Sequence, residues 1–141
     1  MDPDATPSAN RRTVPITILA VIAALAVVKD LVDLFGKPAD LQLANHDVQV
    51  WFGYRFEGLA AKIATFPHLL IYGFAAYGLY RMRQWGWWIA FIYLLYIPGS
   101  LVLYMIQHAT GALWEIAFTA VSCLLIAIIV AYLYNHRHLF T

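Results

Sequence analysis

Four long apolar runs, separated by polar or turn-forming residues, organise the chain. They cover Val14 to Phe35, Leu59 to Tyr80, Trp85 to Ile106 and Ala112 to Tyr134. Each run holds 22 or 23 residues, and about 20 are enough to cross a hydrocarbon core of about 30 Å. Because lipid offers the backbone no hydrogen-bond partners, each run is expected to be helical. The pattern therefore predicts an all-α fold, an integral membrane four-helix bundle.

Composition agrees with a chain that faces lipid. Of its 141 residues, 62% are hydrophobic and only 12% are charged, whereas soluble domains carry about 25% charged residues. The net charge of +1 excludes the clustered basic surface that nucleic-acid binding needs. The single cysteine, Cys123, cannot form a disulfide within the chain. Two pairs of small residues, Ala20/Ala24 and Ala127/Ala131, are candidate helix contacts.

Basic residues near the ends of the runs predict the orientation. The short segment after the second run carries Arg81 and Arg83, whereas the segment after the third, residues 107–111, carries no Lys or Arg. Since cytoplasmic loops are enriched in Lys and Arg, both termini are expected in the cytoplasm (N-in/C-in). We accordingly divide the chain into a disordered cytoplasmic tail (1–13), one transmembrane domain (14–134) and a second cytoplasmic tail (135–141). Cleavage of the first run as a signal peptide after Ala26 is disfavoured, because the run stays apolar beyond that residue.

An aromatic-rich segment lies in the long connection between the first two runs. It runs from Asp47 to Leu59 and includes Trp51, Phe52, Tyr54 and Phe56. One interpretation is a short helix or turn lying in the membrane interface. The other is an aromatic loop packed on the helix ends.

The charged residues inside the apolar runs all lie in the half of each run that is nearer the non-cytoplasmic side. In "VVKDLVDLF", Lys29, Asp30 and Asp33 lie inside the first run. A helix that ended before them would rise only about 24 Å, which is too short to span the hydrocarbon core. His68 and Glu115 lie in the same half of the second and fourth runs, about 13 Å and about 4 Å from the non-cytoplasmic helix ends. The sequence thus predicts a polar layer on the non-cytoplasmic side and an apolar half nearer the cytoplasm.

Helical spacing places polar side chains on shared faces, and such faces turn inward in a membrane bundle because lipid offers them no partners. We therefore expect a polar pocket that opens to the non-cytoplasmic side. We predict that polar side chains from all four helices bind its ligand. The shared faces are Thr65/His68/Tyr72, Tyr93/Tyr96/Ser100/Tyr104/Gln107 and Glu115/Thr119/Ser122, and the ligand-binding set is Asp30, Asp33, His68, Tyr104 and Glu115.

These features favour a protein that is not an enzyme: an accessory subunit of a larger membrane complex, or a binder of a small amphipathic ligand. The expected partners are the lipid bilayer and other membrane proteins. No nucleophile elbow, phosphate loop or metal-ligand spacing is present, so neither a cofactor nor a metal is expected. Lys29 and Asp33, four residues apart, also suit a purely structural ion pair. Transport of a neutral solute is a further alternative, while proton transport is disfavoured because the inner halves of the helices lack Asp, Glu, Lys, Arg and His.

The architecture resembles that of the EXPERA proteins, the emopamil-binding and sigma-2-receptor group. The resemblance is carried by Asp30 late in the first helix and by "FPHLL", Phe66 to Leu70, in the second. It implies a four-helix membrane fold that binds or isomerises sterols in a pocket opening sideways, with Asp30, His68 and Glu115 as the functional residues. The sequence departs from the group where an acidic residue is expected early in the second helix, since Lys62 lies near that position.

Overall fold

The fold is mostly helical. The computed structural model describes residues 13–36, 48–108 and 110–141, so the predicted tail up to residue 12 and most of the polar connection after the first helix lie outside the described residues. The elements, in chain order, are α1 (Val14–Leu31) with a π-helical turn (Val32–Gly36), strands β1 (Val48–Trp51) and β2 (Tyr54–Glu57), α2 (Gly58–Tyr80), α3 (Gln84–His108), α4 (Leu113–Asn135) and a 3₁₀ turn (Arg137–Leu139).

The four helices coincide with the four apolar runs, which confirms the helical prediction. Three of them, α2, α3 and α4, are long and apolar enough to cross a membrane. The helix α1 has 18 residues in α geometry and begins with Pro15 in its first turn, where the missing N–H costs no helical hydrogen bond.

Consecutive helices pack against one another: α1 on α2, α2 on α3, and α3 on α4. In the described part of the chain, α1 and α4 meet mainly at one end, where the Thr13 and Tyr132 hydroxyls lie 2.7 Å apart. The apolar core sits at the same end. Ile16 and Leu133 are fully buried there, and the indole N–H of Trp87 donates to the carbonyl of Leu133 at 2.9 Å. These contacts hold the helices together at the end of the fold opposite the strands.

Two glycines set the distance between α2 and α3. Gly78 and Gly86 pack backbone against backbone, and a Cβ on either residue would overlap the Cα of the other. The tight turn between the helices is closed by the N–H of Arg83, which donates to the carbonyl of Gly78 at 2.9 Å. Beyond α4 the chain returns to this turn, where the N–H of Thr141 donates to the carbonyl of Met82 at 2.9 Å. Residues 137–141, predicted as part of a tail, therefore dock on the α2–α3 turn.

The aromatic segment before α2 forms a β-hairpin, not a short helix. Its strands are antiparallel, with Trp51 opposite Tyr54 and Gln49 opposite Phe56. The two turn residues, Phe52 and Gly53, both have positive φ angles, +50° and +80°, as a tight two-residue hairpin turn requires. Glycine adopts this backbone conformation without steric cost, which explains its place in the turn.

Most of the large apolar side chains on α4 are exposed. Trp114, Phe118 and Leu124 each leave more than 60% of their surface uncovered. A soluble monomer rarely exposes apolar patches beyond a few hundred Å². The exposed surface of α4 is consistent with a helix that faces lipid.

Candidate functional site

A cavity of about 390 Å³ lies where α2, α3 and the hairpin meet. Its lining is mostly apolar and aromatic, with a few polar groups that point inward. The lining residues are Val50 from β1, His68 and Tyr72 from α2, and Tyr93, Tyr96, Ile97, Ser100, Leu101 and Tyr104 from α3. Pockets that bind small molecules usually have this composition and volumes of about 300–1,000 Å³.

Helical spacing brings the polar lining residues to one surface. His68 and Tyr72 are four residues apart on α2, and Tyr96, Ser100 and Tyr104 repeat every four residues on α3. These two helical faces meet at the cavity, although Thr65, which the sequence places on the face of His68 and Tyr72, does not line it. Gln107, assigned to the same stripe, is exposed and does not line the cavity.

The same stripe on α3 holds the hairpin in place. The backbone N–H of Phe52 donates to the hydroxyl oxygen of Tyr96 at 3.0 Å, and that of Gly53 donates to Oγ of Ser100 at 3.3 Å. These are the two backbone donors of the hairpin turn. Without partners, such donors would be costly to bury. Tyr96 and Ser100 thus have a structural task besides lining the cavity.

Trp51 connects the hairpin to α2. Its indole N–H donates to the carbonyl of Ala64 at 3.0 Å, and its ring packs edge-on against His68 with centroids 4.2 Å apart. Ala64 lies one turn before Pro67, where the helical hydrogen bonds are disrupted because proline has no N–H and its ring displaces the preceding turn. The indole therefore supplies a donor from the hairpin to a carbonyl in the turn before Pro67.

His68, Tyr93 and Tyr72 form a polar network at the inner end of the cavity. The Tyr93 hydroxyl lies 2.6 Å from Nδ1 of His68 and 3.4 Å from the hydroxyl of Tyr72. Tyr93 itself is buried. The other imidazole nitrogen of His68, Nε2, is buried and has no hydrogen-bond partner among the described residues.

Asp30 is buried near the C-terminal end of α1. Its side chain is only 5% exposed, and Oδ1 accepts a long hydrogen bond, 3.4 Å, from the ammonium of Lys29. Lys29 makes a shorter bond, 2.8 Å, to Asp33, as their spacing predicts. The second carboxylate oxygen of Asp30, Oδ2, is buried without a partner among the described residues.

The structure thus brings some of the predicted site residues together and separates others. His68 and Tyr104 line the cavity, whereas Asp30 is not among its lining residues. Asp33, just after α1, accepts a hydrogen bond from the ammonium of Lys29. Glu115 is not brought to the cavity: its Oε2 accepts the backbone N–H and the hydroxyl of Thr110 at 2.9 and 3.1 Å, just before α4.

The hairpin contributes to the cavity in a way that the residue pattern did not predict. Val50 lines the cavity, and Trp51 and Gly53 position the strands over it. The available signal was the dipeptide Phe52-Gly53 between two stretches that contain β-branched and aromatic residues. It is weak, because tight hairpin turns prefer Asn-Gly, Asp-Gly or Gly-Gly.

Within the described ranges, no group of three or more His, Cys, Asp and Glu side chains is arranged to hold a metal ion. The residues that line the cavity can bind through hydroxyl and imidazole groups. A mostly apolar wall with a few such groups suits a ligand that is mostly apolar with a small polar group.

The fold and the cavity define a class: a mostly helical protein with three helices able to cross a membrane and a hairpin-covered cavity. Comparison with protein-family models, curated proteins and solved structures finds no match to this chain. The architectural resemblance to the EXPERA proteins accordingly stays a prediction, and the function must be argued from the cavity.

Proposed function

We propose that this is an integral membrane protein that binds a small amphipathic ligand in the cavity between α2, α3 and the hairpin. The observation that carries the proposal is the lining: a mostly apolar cavity of about 390 Å³ with His68, Ser100 and four tyrosines around it. The volume falls in the lower part of the range for small-molecule sites, so the ligand is small. Phenol and imidazole groups hydrogen-bond while their rings pack on apolar surface.

The depth of the hairpin supports a site within the membrane. Tyr96, whose hydroxyl meets the turn, lies about 18 Å from the end of α3, and Ser100 lies about 12 Å from it. Irregular backbone at membrane depth is tolerated only where it is buried in protein or lines a cavity. Gly53 is buried, and the hydrogen bonds from Phe52 and Gly53 give the backbone donors of the turn partners at this depth. We infer that the hairpin re-enters the bundle from the non-cytoplasmic side and covers the ligand.

Filling the cavity should abolish ligand binding. Ile97 lines it and is half-buried, so Ile97→Trp adds a large ring to the binding space. We expect the protein purified in mild detergent to lose a bound small molecule that wild type retains, as measured by native mass spectrometry and by analysis of solvent extracts.

The matched control is Ile92→Trp on the same helix. Ile92 is 59% exposed, so the same change there should leave the bound molecule in place. Equal retention by the two variants would contradict the proposal. Copurification of another membrane protein, unaffected by Ile97→Trp, would instead favour the accessory-subunit hypothesis. Product formation from a sterol or vectorial uptake of a neutral solute would favour the enzyme or transporter hypotheses.

The orientation that places the cavity on the outer side can be tested separately. With both termini in the cytoplasm, a reporter fused after Thr141 should be active only in the cytoplasm, because the α2–α3 turn carries Arg81 and Arg83. The measurement is a paired assay with one reporter active in the cytoplasm and one active outside it. Activity of the second reporter would reverse the topology.

A further inference from the structure

Two hydroxyl groups in the lining of the cavity accept hydrogen bonds from the hairpin. The hydroxyl oxygen of Tyr96 accepts the backbone N–H of Phe52 at 3.0 Å, and Oγ of Ser100 accepts that of Gly53 at 3.3 Å. A backbone N–H can only donate, so the direction of both bonds is fixed. Each hydroxyl also carries one hydrogen of its own, which these bonds do not use. Both side chains therefore remain able to donate.

The hydroxyl hydrogen of Ser100 has no acceptor among the described residues. Hydroxyls on helices often donate to a carbonyl of the preceding turn, and Thr65 does so, to the carbonyl of Ala61 at 2.9 Å. Ser100 instead makes the single described bond that it accepts from Gly53. It is only 7% exposed, and it lines the cavity. Since most buried polar side chains are hydrogen-bonded, this hydrogen calls for an acceptor within the cavity.

Tyr96 repeats this arrangement one turn earlier on α3. Its hydroxyl accepts the N–H of Phe52 and donates to none of the described groups. Its ring packs against the rings of Trp51 and Phe52, with centroids 5.7 and 5.1 Å away. These contacts hold the phenol beside the hairpin, at the cavity that Tyr96 lines. Two residues with unused hydroxyl hydrogens thus lie about 6 Å apart along the axis of α3.

The composition of the lining limits the polar groups that suit these hydroxyls. Among the described residues that line the cavity, none is Asp, Glu, Lys or Arg. A carboxylate or an ammonium would therefore enter without an oppositely charged partner, and burying an unpaired charge is costly. An ammonium also cannot accept a hydrogen bond. A neutral carbonyl oxygen accepts through two lone pairs and brings no hydrogen that needs an acceptor of its own.

We propose that the ligand is a small, mostly apolar carbonyl compound whose oxygen accepts a hydrogen bond from Ser100, with Tyr96 as a second donor on the same wall. This inference rests on the proposed function and specifies the chemical class of the ligand. A hydroxyl that accepts one hydrogen bond donates a stronger one, so the bonds from the hairpin favour binding of the carbonyl. A bound water is the competing acceptor.

The test uses four naphthalene probes substituted at the same ring position: acetylnaphthalene, ethylnaphthalene, naphthylethanol and naphthylethylamine. Binding to the full chain in mild detergent is measured by equilibrium dialysis. Ile97→Trp at the same micelle concentration is the reference, so that partition of each probe into micelles cancels. We expect wild type to bind the ketone about tenfold more tightly than the ethyl compound, and more tightly than the alcohol or the amine, since a site built for one polar group disfavours analogues that lack it.

Two results of the probe series would overturn the proposal. Equal affinity for the ketone and the ethyl compound would show that water satisfies the hydroxyls. Tighter binding of the alcohol or the amine than of the ketone would show that the lining acts as an acceptor. If wild type binds no probe more than Ile97→Trp does, the proposed function itself fails; if it binds all four equally, only the carbonyl site fails.

Variants separate the donor from the hairpin. Ser100→Ala removes the hydroxyl hydrogen together with the acceptor for Gly53. A loosened hairpin lowers the affinity for all four probes alike, whereas loss of the donor lowers the preference for the ketone over the ethyl compound, which should fall to within about threefold. Ser122→Ala makes the same chemical change on α4, outside the lining, and it should keep the wild-type preference.

A Ser100→Ala protein that keeps the full preference for the ketone would contradict the assignment of the donor. Tyr96→Phe is read in the same way, as a smaller loss of that preference. If neither variant folds, the probe series on wild type decides.

Discussion

Replacing Gly86 with alanine is expected to destabilise the fold by about 3 kcal/mol or more, because its added methyl group meets backbone and not a movable side chain. The new Cβ would overlap the Cα and carbonyl carbon of Gly78 and lie 2.9 Å from the backbone nitrogen of Leu79. Overpacking a well-packed site costs typically about 1–3 kcal/mol when side chains can yield. Here the obstacle is backbone, so the two helices must separate.

The same change at Gly78 should have a similar effect. Its Cβ would overlap the Cα of Gly86 and lie 3.0 Å from Cζ3 of Trp85. Separation of α2 from α3 would also strain the turn on which Thr141 docks. The measurement is the midpoint of unfolding of the purified protein in mixed detergent micelles, followed by circular dichroism.

Each helix supplies its own control. At Gly73 on α2 a Cβ would meet Val27 at 4.0 Å, an ordinary contact, and at Gly99 on α3 it would meet nothing within 4 Å. Alanine at either position should be neutral or slightly stabilising, because alanine is the better helix former. If Gly86→Ala were as stable as Gly99→Ala, the close approach of α2 and α3 would be refuted.

The sequence predicted the helices well because their signal is local. The length of each apolar run sets where a helix starts and stops, and the predicted end of the second run, Tyr80, is also the end of α2. The helical repeat puts His68 and Tyr72 on one face of α2, and both residues line the cavity. Both predictions need only the order of residues within one element.

Contacts between elements were harder to predict. The small-residue pairs in the sequence drew attention to Ala20/Ala24 and Ala127/Ala131, yet of these four only Ala20 is buried. A backbone-to-backbone helix contact instead joins two glycines, Gly78 and Gly86, across a turn. A four-residue spacing within one helix cannot reveal that pairing, because the geometry of the turn decides which residues face each other.

Glu115 shows a second limit of the sequence. Its estimated distance from the non-cytoplasmic helix end was similar to that of the other acidic residues. That distance does not show which nearby hydrogen-bond donors the carboxylate will bind. Thr110, five residues earlier, offers both a backbone N–H and a hydroxyl. A carboxylate at the start of a helix is well placed to accept such donors. Local hydrogen bonding therefore keeps Glu115 beside α4 and away from the cavity.

The hairpin was the main element that the sequence did not predict, and Gly53→Ala is expected to detach it from α3. The Cβ of alanine would lie 2.7 Å from Cβ of Leu103 and 3.1 Å from the backbone nitrogen of Tyr104. In addition, the φ angle of +80° costs a residue with a Cβ about 1–2 kcal/mol. The turn must move away, and the bonds to Tyr96 and Ser100 are lost with it.

Detachment of the hairpin should open the cavity and release the ligand, because Val50 forms part of the lining. We expect Gly53→Ala to lower the thermal stability and to abolish retention of the bound molecule in native mass spectra. Gly111→Ala is the matched control, since Gly111 has nearly the same φ angle, +82°, with nothing within 4 Å of its Cβ position. It should lose only the stability that backbone strain costs and keep the ligand. A Gly53→Ala protein that retains its ligand as Gly111→Ala does would show that the hairpin is not the cover of the site.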